Sequence, residues 1–173
     1  MTAFRSTDRL RQCVPARVGQ RQGGATVVEM ALVMPVFLLL LVGVIELSLM
    51  FFANLTMQYA VREGGRYAIT GLSDADPNVS NQQRYQAILA RMKTSSVGMY
   101  AKTSPVITTN NVTYTDSSSY NAAMFGQAGD ILVIKLDCSW PLATPLLKPF
   151  FKDGKYRFTV AVTMLNENYA GVN

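Results

Sequence analysis

The chain opens polar, turns continuously apolar over residues 30–53, and then settles into periodic patterns. The run MALVMPVFLLLLVGVIELSLMFFA carries one charged side chain, Glu46. As a helix it extends ~36 Å at ~1.5 Å per residue, enough for a hydrocarbon core of ~30 Å, and it is predicted to be a transmembrane helix. No strong breaker follows before Gly64 and Gly65, so the helix is predicted to continue to Ala68, with about half of its ~64 Å outside the bilayer. Pro35 predicts a kink or a locally unwound turn. Beyond a loop at residues 71–78, Tyr85, Ile88, Leu89 and Met92 recur at i, i+3, i+4 and i+7. With Ser80 and Gln83 as a capping-box signal, they predict a short amphipathic helix over residues 81–93.

Alternation with period two takes over further along. Leu132, Ile134, Leu136, Cys138 and Trp140 mark one face of a strand over residues 130–140, and residues 156–165 alternate likewise. Asp153 and Gly154 between them are a hairpin-turn signal. The Ser-, Thr- and Asn-rich stretch over residues 94–128 holds two shorter predicted strands, at 105–109 and 111–115, and no assignable chemistry. The expected architecture is α+β: a long N-terminal transmembrane helix extending into a small domain beyond the membrane with an antiparallel sheet. Its predicted divisions are 1–24, a basic leader; 25–53, the transmembrane helix; 54–70, its extension; and 71–173, the outer domain.

Charge sharpens this layout. Sixteen Lys and Arg against eleven Asp and Glu give +5 over 173 residues. Arg5, Arg9, Arg11, Arg17 and Arg21 face only Asp8 in the leader, and the remainder is nearly neutral. A nucleic-acid-binding face on the folded part therefore lacks its main support. With the basic tail before the span and no further basic residue until Arg62, the positive-inside rule predicts a cytoplasmic N-terminus and an extracytoplasmic domain. Cys13 and Cys138 then lie in different compartments, so no disulfide joins them and Cys138 is expected to be a small buried apolar residue. Histidine is absent, which removes imidazole bases and the usual zinc sites. Asp74, Asp76 and Asn78 alternate like calcium ligands but lack the glycine and glutamate that complete an EF-hand loop. No catalytic constellation, metal site or cofactor site is predicted.

An ordinary cleaved signal peptide fits poorly, because the basic tail and the apolar run are both long and no small-x-small site follows closely. The segment Arg21-Gln22-Gly23-Gly24-Ala25-Thr26-Val27-Val28-Glu29 offers a different cut. A basic leader ends in glycine, a small residue follows, and Glu29 stands fifth after Gly24. This resembles the processing site of type IV prepilins, where a membrane aspartyl peptidase cuts after the glycine; here the cut falls between Gly24 and Ala25. Glycine lets an extended backbone approach the peptidase closely. The Glu29 carboxylate, one turn along, can neutralise the new ammonium or that of a neighbouring subunit. The alternative is a glutamate favoured by the helix dipole in a first turn.

Residues 21–68 as a whole resemble the TadE-like family, pseudopilin-like proteins of tight-adherence (Tad, Flp pilus) systems. The family's elements correspond here to residues 24–31, 33–35, 43–46 and 60–68, with Met30 where an aromatic residue is usual. A weaker likeness covers Gly129 and Asp130 and the ending Leu165-Asn166-Glu167-Asn168-Tyr169. The resemblance implies a non-enzymatic minor pilin or pseudopilin-like component that supports pilus biogenesis, adhesion and biofilm formation. It would sit in the cytoplasmic (inner) membrane or be incorporated in the pilus. The implied partners are the membrane, prepilin peptidase, other Tad pilin-like subunits and the pilus assembly platform, with no nucleic acid. Gly43 and Glu46 are candidate helix–helix contacts, with snorkelling to the outer headgroups as the alternative for Glu46. Arg62, Glu63 and Arg66 are candidate partner contacts, with local pairing along the helix as theirs. An uncleaved signal-anchored binding domain is the competing reading of the whole.

Overall fold

The computed structural model describes residues 23–169. The basic leader up to Gln22 and Cys13 lie outside the described residues. The chain divides into two units at Leu38 and Leu39. In the first, residues 23–38 are helical, and every described position from Thr26 onward is exposed. The helix assignment is unbroken through Pro35, so the unwound turn predicted there is not formed.

The second unit is an α+β domain built on the rest of the same helix, α1 (Gly23–Ile69). Its core-facing stripe begins at Glu46 and continues through Met50, Ala53, Met57, Ala60, Val61, Gly64, Gly65 and Ala68. Steps of three and four residues keep these positions on one side of the helix. Glu46, Met50 and Ala53 thus belong to the domain's interior although their sequence segment reads as transmembrane.

Two short helices follow, α2 (Arg84–Ser95) and α3 (Met99–Thr103). Ala87, Ile88, Leu89 and Met92 form the buried face of α2, as the i, i+3, i+4 pattern predicts. The capping box is not formed, and α2 starts later than predicted. Gln83 occupies the N-cap without a side-chain bond. Asp76, buried in the preceding loop, accepts from the backbone N–H groups of Asn78 at 2.9 Å and Gln83 at 2.6 Å. A carboxylate accepting two N–H groups outcompetes a serine hydroxyl at the same helix start.

Four antiparallel strands, β1 (Val106–Thr109), β2 (Val112–Tyr114), β3 (Ile131–Pro141) and β4 (Lys155–Leu165), form one sheet in the order β2-β1-β3-β4. β3 and β4 pair along their full length, from Ile131 opposite Leu165 to Pro141 opposite Lys155. The alternating residues Leu132, Ile134, Leu136, Cys138 and Trp140 are buried, with Phe158 and Val160 beside them. Asn110 and Asn111 turn the β1–β2 hairpin with positive φ at both positions, the geometry in which asparagine is favoured. The Asn110 side chain also bonds the edge of β3, donating to the Ile131 carbonyl and accepting from the Val133 N–H. Cys138 is free and buried, and burial raises its thiol pKa to about 11.

Candidate functional site

The residues singled out by sequence all lie on α1, and the structure distributes them over its two units. Gly24 and Ala25 are in the first helical turn, and a Cβ built at Gly24 meets nothing within 4 Å. Glu29 is exposed four residues after Ala25, a spacing that places both on one helix face. Gly43 is half-buried and its added Cβ also meets nothing within 4 Å.

Glu46 has partners that the sequence does not announce. Only 1 % of it is exposed. Its Oε1 accepts from the Ala143 N–H at 2.9 Å, and its Oε2 accepts from the Thr144 N–H at 3.1 Å and the Thr144 hydroxyl at 2.7 Å. A carboxylate taken out of water needs such donors, and three are supplied by the connection between β3 and β4. The donors stand 97 and 98 residues away in sequence, so periodicity along the helix carries no trace of them.

The Arg-Glu-Gly-Gly-Arg block, residues 62–66, resolves into three directions. Glu63 points toward α2, where its carboxylate lies 3.9 Å from Arg91, in place of pairing along its own helix. Gly64 and Gly65 bring α1 against its neighbours. A Cβ on Gly64 would overlap the Met92 side chain of α2, and one on Gly65 would stand 3.1 Å from Val162 and Met164 of β4. Arg62 and Arg66 are exposed and form no ion pair among the described residues. They continue an exposed line through Phe51, Leu55 and Tyr59, which show 67 %, 64 % and 57 % of their surface. Steps of three and four residues make this line a single stripe of α1, directed away from the core stripe.

Residues 24–66 match the family model described as TadE-like protein. The likeness is confined to the helix. The match runs from the Gly24 position to Arg66, taking in the exposed apolar stretch, Glu46 and the glycine pair, 43 of the 173 residues. No curated protein and no solved structure matches the chain. The TadE-like helix is also long and apolar enough to cross a membrane.

Arg84, to which the sequence drew no attention, is the main polar staple of the domain's far end. Its guanidinium donates to the carbonyls of Gly126 at 2.6 Å, Ala68 at 2.8 Å and Phe125 at 3.3 Å, and lies over the Tyr169 ring at 5.0 Å. Burial lowers its pKa from the ordinary arginine value. Asn166 adds bonds to the Phe125 and Gln127 carbonyls, and the Glu167 N–H donates to Ile69. The end of β4 is thereby fastened to the end of α1. Asn166 and Tyr169 belong to the weaker distal likeness, which lies beyond the matched residues. Among the described residues no group of three His, Cys, Asp or Glu side chains could hold a metal ion.

Proposed function

We propose that this protein is a membrane-anchored, pilin-like subunit of a Tad (Flp) pilus system, cut by a prepilin peptidase between Gly24 and Ala25 and acting in pilus assembly and so in adhesion. The observation that carries the reading is the division of labour within the TadE-like helix. Its core stripe is fully used by the protein's own domain, while Glu29, the apolar stretch before Glu46 and the stripe from Phe51 to Arg66 are left facing outward. In a bilayer, helices associate through close packing and polar contacts because burial from lipid supplies no hydrophobic gain. The apolar stretch before Glu46, with Gly43 in it, and the outward stripe are the surfaces suited to another subunit's helix.

Cleavage requires the first turn of α1 to open, since a peptidase binds an extended backbone. Gly23 and Gly24 make that opening easy, each weakening a helix by about 1 kcal/mol relative to alanine. The new Ala25 ammonium then lies on the same face as Glu29, which holds it or a neighbour's ammonium at the membrane edge.

In cells carrying the matching peptidase, intact-mass measurement should give a protein beginning at Ala25, and Gly24→Val should remain uncut. Glu29→Gln should be cut and inserted yet fail to support pili. A native mass beginning at Met1 contradicts the processing step, and full piliation by Glu29→Gln reduces Glu29 to a dipole-favoured first-turn residue.

A further inference from the structure

The connection between β3 and β4 divides its apolar side chains between the core and the surface. Leu142 is buried, and Leu147 and Phe151 pack against the core at its edge. Leu146 and Phe150, by contrast, expose 55 % and 82 % of their surface. Pro145 and Pro149 stiffen the loop, and a 3-10 turn over Lys148–Phe150 holds Phe150 outward. Lys148, Lys152 and Lys155, neighbours of these two apolar tips in sequence, are all exposed. Asp153 lies among them but is paired with Arg157 at 2.7 Å. Four of the eleven basic residues that follow the leader therefore fall within residues 148–157, in a domain otherwise close to neutral.

The position of the loop is set by Glu46. Ala143 and Thr144 are bonded to its carboxylate, and Glu46 directly follows residues 39–45, where α1 is apolar and mostly exposed within this same unit. The loop is consequently held at the level of Glu46, the one charged residue of the apolar run 30–53 and the point from which the helix begins to bury a stripe in the domain. An exposed Phe and Leu in a lysine-rich loop at that level match a lipid surface, whose headgroup–acyl boundary accepts aromatic and aliphatic tips and whose phosphates attract ammonium groups.

We propose that the β3–β4 loop is a second membrane contact: Leu146 and Phe150 insert at the headgroup–acyl boundary, and Lys148, Lys152 and Lys155 pair with anionic phospholipid headgroups. The proposal rests on α1 spanning the membrane. It gives Glu46 a role inside one subunit, as the link that sets the loop's depth, and it makes the domain lie against the bilayer where a tether alone would leave it free.

The test uses the full chain in nanodiscs containing phosphatidylglycerol and phosphatidylcholine, with Cys13→Ser and Cys138→Ala removing the native thiols. Nitroxide labels are attached at Phe150→Cys, at Val36→Cys in the apolar helix, and at Val112→Cys beside the β1–β2 turn. That turn lies alongside Val133, roughly 26 Å along β3 from Pro141 at ~3.3 Å per residue. Power saturation should show the labels at positions 36 and 150 relaxed more by oxygen than by a water-soluble nickel chelate, and the label at 112 the reverse. Replacing the three lysines by glutamine should remove any deepening of the position-150 label on going from phosphatidylcholine alone to the anionic mixture. A position-150 label as open to the chelate as that at 112, with the label at 36 still in lipid, overturns the dock and leaves the span intact. Labels at 36 and 150 both in water overturn the span and the dock together. Protection at 150 that arises only when other pilus subunits are added also overturns the dock, in favour of a protein partner.

Discussion

Along α1, residues 26–41 are exposed at every position, whereas from Glu46 onward every third or fourth residue is buried. The two stretches adjoin within one apolar run that crosses Glu46 and continues to Ala53, so composition alone does not place the boundary at Glu46. What separates them is the shape of their surroundings: a core surrounds one side of a helix and selects a stripe, while a bilayer surrounds all sides and selects none. The small residues inside the stripe, Ala53, Ala60, Gly64, Gly65 and Ala68, admit the neighbouring α2 and the sheet. The apolar stretch before Glu46 contains Gly43, against which nothing packs.

The sharpest way to break this contrast is to add bulk at one glycine in each part. Gly64→Val puts branched carbons into fully buried Met92, and overpacking of this kind should lower domain stability by about 2 kcal/mol, read by chemical denaturation of the detergent-solubilised protein. Gly43→Val should leave that midpoint unchanged and act, if anywhere, on assembly. Equal destabilisation by both would mean that the two stretches are packed alike.

Removing the polar link at the junction comes next in size. Glu46→Ala strips the acceptor from two N–H groups and a hydroxyl; since these donors sit in a partly exposed loop that water can reach, the cost should be about 1.5 kcal/mol. Glu46→Gln, which retains one oxygen acceptor, should fall between. Glu29→Gln, on the exposed stretch, should not move the same unfolding curve. Asp76→Ala, which frees the Gln83 N–H at the start of α2 and the Asn78 N–H in the loop before it, should cost about 1 kcal/mol.

The alternation in β3 and β4 is legible because period two is written locally, and the buried face runs from Leu132 to Trp140 as the pattern predicts. The buried face of α2 is legible for the same reason. Glu46 is not, since its donors come from a loop nearly a hundred residues away. The start of α2 is misplaced by the sequence pattern because Ser80 and Gln83 have the right spacing, while Asp76, which reaches Gln83 from seven residues back, leaves no local pattern. Glu63 has partners in reach along its own helix and instead faces Arg91, a choice made by the packing of α2. In the candidate site, the proposed cut after Gly24 and the glutamate at position 29 are suggested by neighbouring residues, but the outward stripe from Phe51 to Arg66 emerges only once the core has taken its share of the helix.

The smallest expected effect concerns Cys138, whose thiol is buried and shifted to a pKa of about 11 by desolvation. In a Cys13→Ser background at pH 8, alkylation of the native protein should be slow and should become rapid on unfolding, because the thiolate fraction and access both rise. Rapid labelling of the native state would place Cys138 outside the core that defines the second half of the comparison.

The central claim is that the exposed stretch of the TadE-like helix acts in assembly and does more than anchor. An exchange must spare the core stripe, so the segment to replace is residues 30–41, short of Gly43 and Glu46. A chimera carrying an unrelated apolar helix of equal length there, with Gly24 to Glu29 and everything from Val42 onward retained, should keep its unfolding midpoint and its membrane insertion. Counted by electron microscopy at native expression in a strain lacking the wild-type protein, its pili should be lost. Pili at wild-type numbers from that chimera would contradict the account and leave the helix a tether.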